Sequence, residues 1–251
     1  MKPPATVTEV IVTGRADHGE VDRVLRLLTP ELGLISAYAT AARRPRSVAG
    51  GLDIGVRARV ALRRGAGDLW RLGAVEVLDP RVHLRTSVVR LTMAAYAIEV
   101  CTALAPREHA EPRLFGLLEM ALVLLDAASA DPSTAFVAGI EAKALTFAGV
   151  APTLDRCVVC GRLAEGDLLL DPGAGGLRHE GCGPGPEGRQ RVTLDAVPRA
   201  LGEALEAARR RPLRDSLDVA LPPGAPRLLA DLIEAHVGHS LHSRGALDAL
   251  G

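Results

Sequence analysis

Aromatic side chains make up only 2% of this 251-residue chain. Its cores must therefore be assembled from Leu, Val and Ala, and helices rich in Ala and Leu should dominate. Long hydrophobic runs are missing as well. No stretch approaches the ~20 apolar residues needed to cross a bilayer, and the opening Met1-Lys-Pro-Pro lacks the apolar segment of a secretory leader. These absences predict a soluble, cytoplasmic protein. Cysteine is limited to four residues, with Cys101 isolated in a helical pattern, which suits a reducing compartment better than a disulfide framework. There is no P-loop, no His-Glu-x-x-His and no Gly-x-Ser-x-Gly elbow. A base deaminase needs His-x-Glu and Pro-Cys-x-x-Cys; here His179 directly precedes Glu180, and Arg156 stands before Cys157. Gly183-Pro-Gly-Pro-Glu-Gly188 has the letters of a dinucleotide fingerprint. No strand precedes it, however, and its prolines forbid a helix opening there.

The strongest positive signal is Cys157-Val-Val-Cys160, followed after eighteen residues by His179-Glu-Gly-Cys182. Two residues within each pair let neighbouring ligands close on one ion, and the spacer returns the chain for the second pair. The spacer carries Gly161, Gly166, Gly173, Gly175 and Gly176, which allow the two tight turns that metal-binding knuckles require. Cys157, Cys160, His179 and Cys182 form a Cys3His zinc set with all four tetrahedral positions filled by protein. A structural zinc is thus expected, with no open position for an activated water. The competing reading is a Cys157–Cys160 disulfide with an unrelated His and Cys beyond it.

The thirty basic and thirty acidic residues cancel, but unevenly along the chain. Residues 1–80 carry twelve bases against nine acids, and the remainder eighteen against twenty-one. Between 43 and 64 stand seven arginines and a single acid, Asp53. The length predicts two or three small domains. From Thr6 to Leu78, short apolar runs broken by turn residues predict strands near 6–13, 21–28, 33–40, 54–63 and 69–78. The clearest has Val56, Ala58, Val60 and Leu62 on one face with Arg57, Arg59 and Arg63 on the other. Val21, Val24, Leu25 and Leu28 also fit one helix face, so the second strand has a helical alternative. Five strands and a long arginine-bearing loop at 41–53 suit a closed barrel of the OB type, ending at Pro80.

Beyond Arg85 the period becomes helical: Val89, Met93, Tyr96 and Val100, then Leu114, Leu117, Leu118, Ala121, Leu124 and Leu125. A third helix spans about 133–147, started by Asp131-Pro132-Ser133 and ended by Gly149. The metal module fills 151–190, and helices follow near 193–209 and 225–242. The fold class is therefore α+β multidomain: an OB-fold barrel at 1–80, a helical domain at 81–150 and 191–251, and an inserted Cys3His zinc module at 151–190. His236, His239 and His242 drift around a helix with no cysteine or carboxylate among them and read as a helix edge. Arg209-Arg-Arg211 reads as cations at a helix C-terminus.

Seven guanidinium groups with little intervening acid fit a polyanion, and nucleic acid is the expected ligand. The DNA-binding candidates are Arg43, Arg44, Arg46, Arg57, Arg59, Arg63 and Arg64. Only Tyr38 and Trp70 lie in the barrel as aromatic platforms, and Trp70 is equally suited to the core. Backbone contact should therefore outweigh base recognition. On charge alone, replacing Arg57 and Arg59 together should weaken binding to all sequences and flatten its salt dependence by about one and a half log–log units.

The order of parts resembles the bacterial recombination-repair family RecO over nearly the whole chain. The segments that carry this are Gly19-Glu-Val-Asp22-Arg23, Leu27-Leu-Thr29, Gly33-Leu-Ile, Ala41-Ala-Arg-Arg-Pro45, Ala74-Val-Glu-Val-Leu-Asp79-Pro80 and Leu154-Asp-Arg-Cys157-Val-Val-Cys160-Gly161. Some members of the family have four cysteines at the metal site, where this chain has His179 as third ligand. The resemblance implies an N-terminal OB-fold, a helical domain and a zinc module set against it. It further implies binding of single- and double-stranded DNA, annealing of complementary strands without ATP, and loading of RecA on gapped DNA together with RecR and single-stranded-DNA-binding protein. A cytoplasmic, nucleoid-associated location is expected, and annealing needs no catalytic residue, in agreement with the lack of a catalytic motif in the sequence. Two other classes stand beside it. A transcription regulator using the metal module as a DNA finger fits poorly: within 157–182, Arg162 and Arg178 face Glu165, Asp167, Asp171 and Glu180. A zinc-dependent hydrolase would need an open ligand position.

Overall fold

The computed structural model of the protein describes residues 4–65, 67–183, 199–219 and 225–249. It divides into two compact units, 1–129 and 130–251.

In the first unit, β1 (Thr6–His18), β2 (Asp22–Thr29), β3 (Gly33–Ala39), β4 (Arg57–Arg64) and β5 (Leu69–Asp79) close a barrel in the order β1-β2-β3-β5-β4. All pairings are antiparallel except β3 with β5. β1 pairs with β4 through Thr6–Ile11 and with β2 through Ile11–His18, bending at an irregularity between Val12 and Gly14. A bulge of this kind lets one long strand serve two neighbours. Val10, Val12, Leu25, Leu27, Ile35, Ala37, Ala58, Val60 and Leu62 alternate into the barrel, as the period of two requires. Trp70 joins this core at 5% exposure, so it is no stacking surface.

Five strands stand where periodicity predicts them, with two boundary differences. β1 runs on past Thr13 to His18 as an exposed hairpin arm, held by the Arg23–Asp17 ion pair at 2.9 Å. β4 begins at Arg57 instead of 54, because Gly55 turns at φ +87° and leaves Ile54 exposed. The second segment is a strand, not a helix; Leu25 and Leu27 face inward and Leu28 is buried on the other side.

Outside the barrel, α1 (Val88–Leu104) is capped by Ser87, whose side chain accepts from the Arg90 N–H, and α2 (Pro112–Ala127) opens on Pro112. α1 reaches β1 and α2 reaches β2, where Ile11 and Leu28 are fully buried outside the barrel core. The α1–α2 connection is stitched to the start of β3. The Leu34 N–H donates to the Pro106 carbonyl at 3.1 Å, and Gly33 sits at φ +63° against the carbonyls of Pro106 and His109.

In the second unit, α3 (Thr134–Phe147) is buried almost all round, packing against α4 (Arg199–Arg210) and α5 (Ala225–Val237). Its start is Ser133, with Pro132 just outside the helix, and Gly149 follows its end at φ +77°. The helix expected over 225–242 stops at Val237, because Gly238 takes φ +78°; His239 and His242 therefore lie beyond it, and the three histidines share no helix edge. A short α6 (Arg244–Asp248) follows. β6 (Leu168–Asp171) and β7 (Gly176–His179) form a hairpin within the metal-module segment. The start of the helix expected near 193 and all of Gly183-Pro-Gly-Pro-Glu-Gly188 beyond Gly183 lie outside the described residues. Arg209 and Arg210 occupy the last turn of α4, both paired with Glu206.

Candidate functional site

Two short turns bring four ligand atoms together. After Cys157 the chain reverses tightly, with the Gly161 N–H donating to the Cys157 carbonyl and Gly161 at φ +72°. The second turn leaves β7 at His179 and closes through a 3-10 turn over Glu180–Cys182. The Val158 N–H donates to the Leu177 carbonyl, and Gly176 packs on Thr153 with no room for a Cβ, which fixes the first turn against the hairpin.

The sulfurs of Cys157 and Cys182 are 3.8 Å apart, and His179 Nδ1 lies 3.5 Å from Cys160 Sγ and 3.6 Å from Cys182 Sγ. All four ligand atoms lie within 4.8 Å of one another. Around a tetrahedral ion, bonds of about 2.3 Å to sulfur and about 2.1 Å to nitrogen place sulfurs about 3.8 Å apart and sulfur and nitrogen about 3.6 Å apart. The cluster therefore has the dimensions of one closed Cys3His metal site. No disulfide joins Cys157 to Cys160.

The surroundings favour ligation. His179 Nε2 lies 3.0 Å from the Leu163 carbonyl; a proton on Nε2 makes that bond and leaves Nδ1 free to ligate. The N–H groups of Val159 and Cys160 point at Cys157 Sγ from 3.4 and 3.5 Å. Burial opposes charge on Cys157, yet these donors bring its thiol down to about 6. The Arg162 side chain hydrogen-bonds Cys160 and lowers its pKa, supplying a cation beside the cluster, whereas burial pushes the Cys182 thiol up to about 11. By sequence Arg162 counts only as a base of this segment; its place two residues after Cys160 was the available signal for the contact between them. Arg178, the other base of this segment, is 6% exposed beside Asp171 and is closed to a DNA groove. Cys101 is fully buried and its thiol is pushed up to about 12, which leaves it inert.

The seven barrel arginines fall into two groups. Arg57 pairs with Glu9 at 2.6 Å and Glu119 at 2.8 Å, and Arg59 with Glu76 at 2.8 Å and Glu9 at 3.4 Å. Arg64 pairs with Glu108 at 2.9 Å and lies 4.2 Å over the Trp70 ring. Arg43 makes a looser contact to Asp17 at 3.5 Å. Arg44, Arg46 and Arg63 are exposed and make no ion pair among the described residues. The compensating acids come from β1, β5, α2 and the α1–α2 connection, so the local 43–64 window could not reveal them.

Asp22 organises the arginine loop. Its carboxylate accepts from the Tyr38 hydroxyl at 2.5 Å and from the Ala41 N–H at 2.6 Å, and these bonds hold it below the ordinary aspartate range. Arg43 N–H donates to the Val21 carbonyl, and Ala41 and Arg46 take φ of +55° and +65°. The loop that presents Arg44 and Arg46 is thereby tied to the β1–β2 hairpin. Tyr38 serves as this tether, with its ring edge-on to His18.

A closed five-stranded, OB-like barrel whose loop carries arginines with no ion pair among the described residues, together with a Cys3His cluster, defines a protein of the OB-barrel class with a candidate metal module. Residues 1–81 match the family Recombination protein O N terminal and residues 85–245 the family Recombination protein O C terminal. The chain is 32% identical over 237 residues to a DNA repair protein RecO of Myxococcus xanthus, covering 94% of this chain and 92% of the relative. It is 35% identical over 249 residues to a DNA repair protein RecO of Anaeromyxobacter dehalogenans, covering 96% and 95%. It is also 32% identical over 235 residues to one of Symbiobacterium thermophilum, covering 92% of each. The chain belongs to the RecO family. No helix among the described residues is long and apolar enough to cross a membrane.

Proposed function

We propose that this protein acts in DNA repair and recombination by binding DNA through its barrel and annealing complementary strands without hydrolysing a nucleotide. The observation that carries this reading is the set of exposed guanidinium groups on a closed OB barrel, Arg44, Arg46 and Arg63, that form no ion pair among the described residues. Two DNA strands repel each other. Arginines that replace condensed counterions lower that repulsion and release ions to solution, so complementary strands meet while no base is chosen. Arg43, Arg57, Arg59 and Arg64 contribute less where their carboxylate partners already balance them. With partners RecR and single-stranded-DNA-binding protein, the same platform helps load RecA on single-stranded DNA at the nucleoid.

The ion at Cys157, Cys160, His179 and Cys182 is zinc, since three thiolates and one imidazole in tetrahedral array suit it and leave no ligand position for a substrate. Its role is to hold the two turns together. A fluorescence assay of annealing between complementary oligonucleotides tests the function. Annealing should exceed the spontaneous rate without ATP and fade with salt; a rate no faster than spontaneous at low salt would refute it.

A further inference from the structure

A surface hollow of about 520 Å³ lies over the β4–β5 pair and is lined there by Arg63, Arg64, Arg71, Ala61, Gly73 and Ala74, with Ala5 and Thr40 from outside the two strands. Its floor is made by an irregularity in the ladder. Val60 pairs with Val75 and Leu62 with Leu72, so Ala61 alone opposes Gly73 and Ala74. The extra residue bends the strand, and small side chains keep the hollow open. A Cβ at Gly73 would approach the Ala61 carbonyl to 3.1 Å.

Arg63 and Arg71 are register partners at the rim of this hollow. Like charges placed directly opposite in an antiparallel pair destabilise a sheet. Neither forms an ion pair with a carboxylate among the described residues, and both are exposed. The third guanidinium, Arg64, is already engaged by Glu108 and Trp70. Trp70 is buried, so the hollow offers no ring on which a base could stack. Two free guanidiniums, a floor of small residues and no stacking platform suit the phosphates of a chain and not its bases.

We propose that the bulged β4–β5 groove is a two-phosphate track for a single nucleic-acid strand, with Arg63 and Arg71 each donating to a non-bridging oxygen. This rests on the DNA-binding reading above, and it adds a second contact region to the 41–47 loop. Arg71 lies outside the arginine-rich window and has no role under the loop alone.

The test is a salt series of binding to labelled oligothymidylate for the full chain and three sets of variants. Replacing Arg63 and Arg71 together by Ala should flatten the log–log slope by about 1.4, two contacts at about 0.7 each on single strands. Ala74 is exposed, so Ala74→Glu adds a carboxylate to the groove without crowding it; it should weaken binding while Ala74→Gln retains wild-type affinity. Arg44→Ala with Arg46→Ala serves as the reference. If that loop variant loses slope while the groove variants, shown folded by circular dichroism, keep wild-type slope and affinity, the groove proposal is overturned and the DNA-binding reading stands. If the unaltered protein shows no salt-dependent binding, the broader reading falls and takes the groove with it.

Discussion

The cysteine cluster and the barrel arginines are both sets of side chains singled out by sequence, yet only the first set converges on a point. Cysteine is short, and each pair sits on a tight turn, so two intervening residues nearly fix where the ligand atoms lie. An arginine is long, and its environment is chosen by strands and helices far along the chain. Glu9, Glu76, Glu108 and Glu119 neutralise Arg57, Arg59 and Arg64 from four other segments. Spacing therefore specifies a metal site, whereas a run of charge specifies only where charge starts.

The sharpest break of that comparison is at the metal. Cys160→Ser should abolish stoichiometric zinc and unfold the 151–183 segment, since ligation contributes on the order of 10 kcal/mol to such a module. The barrel has its own core and should keep its thermal transition. Elemental analysis with limited proteolysis reads both effects, and full zinc in the variant would contradict the assignment of Cys160 as ligand.

The same contrast explains what was legible beforehand. β4 could be read because one of its faces is solvated and the alternation of Val, Ala and Leu with Arg survives. β2 was ambiguous because Leu25 and Leu27 serve the barrel while Leu28 is buried outside it, which blurs a period of two into something like a helix face. The exposed arm of β1 beyond Thr13 carries no apolar signal at all; its backbone pairing with β2 makes it a strand. Gly238 ended α5 early through its conformation, and a hydrophobic stripe continuing toward Leu241 concealed this. The convergence of Cys157, Cys160, His179 and Cys182 on one cluster was legible from spacing alone. The separation of free from paired arginines was not, because it depends on cross-strand register.

A second break lies at the β3 start. A Cβ on Gly33 would stand 2.1 Å from the His109 carbonyl and 2.5 Å from that of Pro106, at a positive φ. Gly33→Ala should cost about 3 kcal/mol of barrel stability. Denaturant unfolding checks it; an unchanged midpoint would mean that the α1–α2 connection does not hold this turn.

A smaller effect is expected from pH. The Arg57 hydrogen bond holds the Glu9 carboxyl below its ordinary value of 4.5, against the opposing effect of burial. A depressed folded pKa stabilises above the unfolded value, and that contribution is lost as pH falls through the folded one. Glu9→Gln should therefore reduce stability at neutral pH and flatten its decline below about pH 4.5. Thermal melts of both proteins across that range give the sign directly.

In the function proposed for this barrel, carboxylate pairing, and not local arginine density, decides which charges meet DNA. Salt-dependent binding to single-stranded DNA by two double variants tests this most directly. Arg44→Ala with Arg46→Ala should flatten the log–log slope by about 1.4, whereas Arg57→Ala with Arg59→Ala should change it by well under half as much. An equal or larger loss from the Arg57 and Arg59 pair would contradict it.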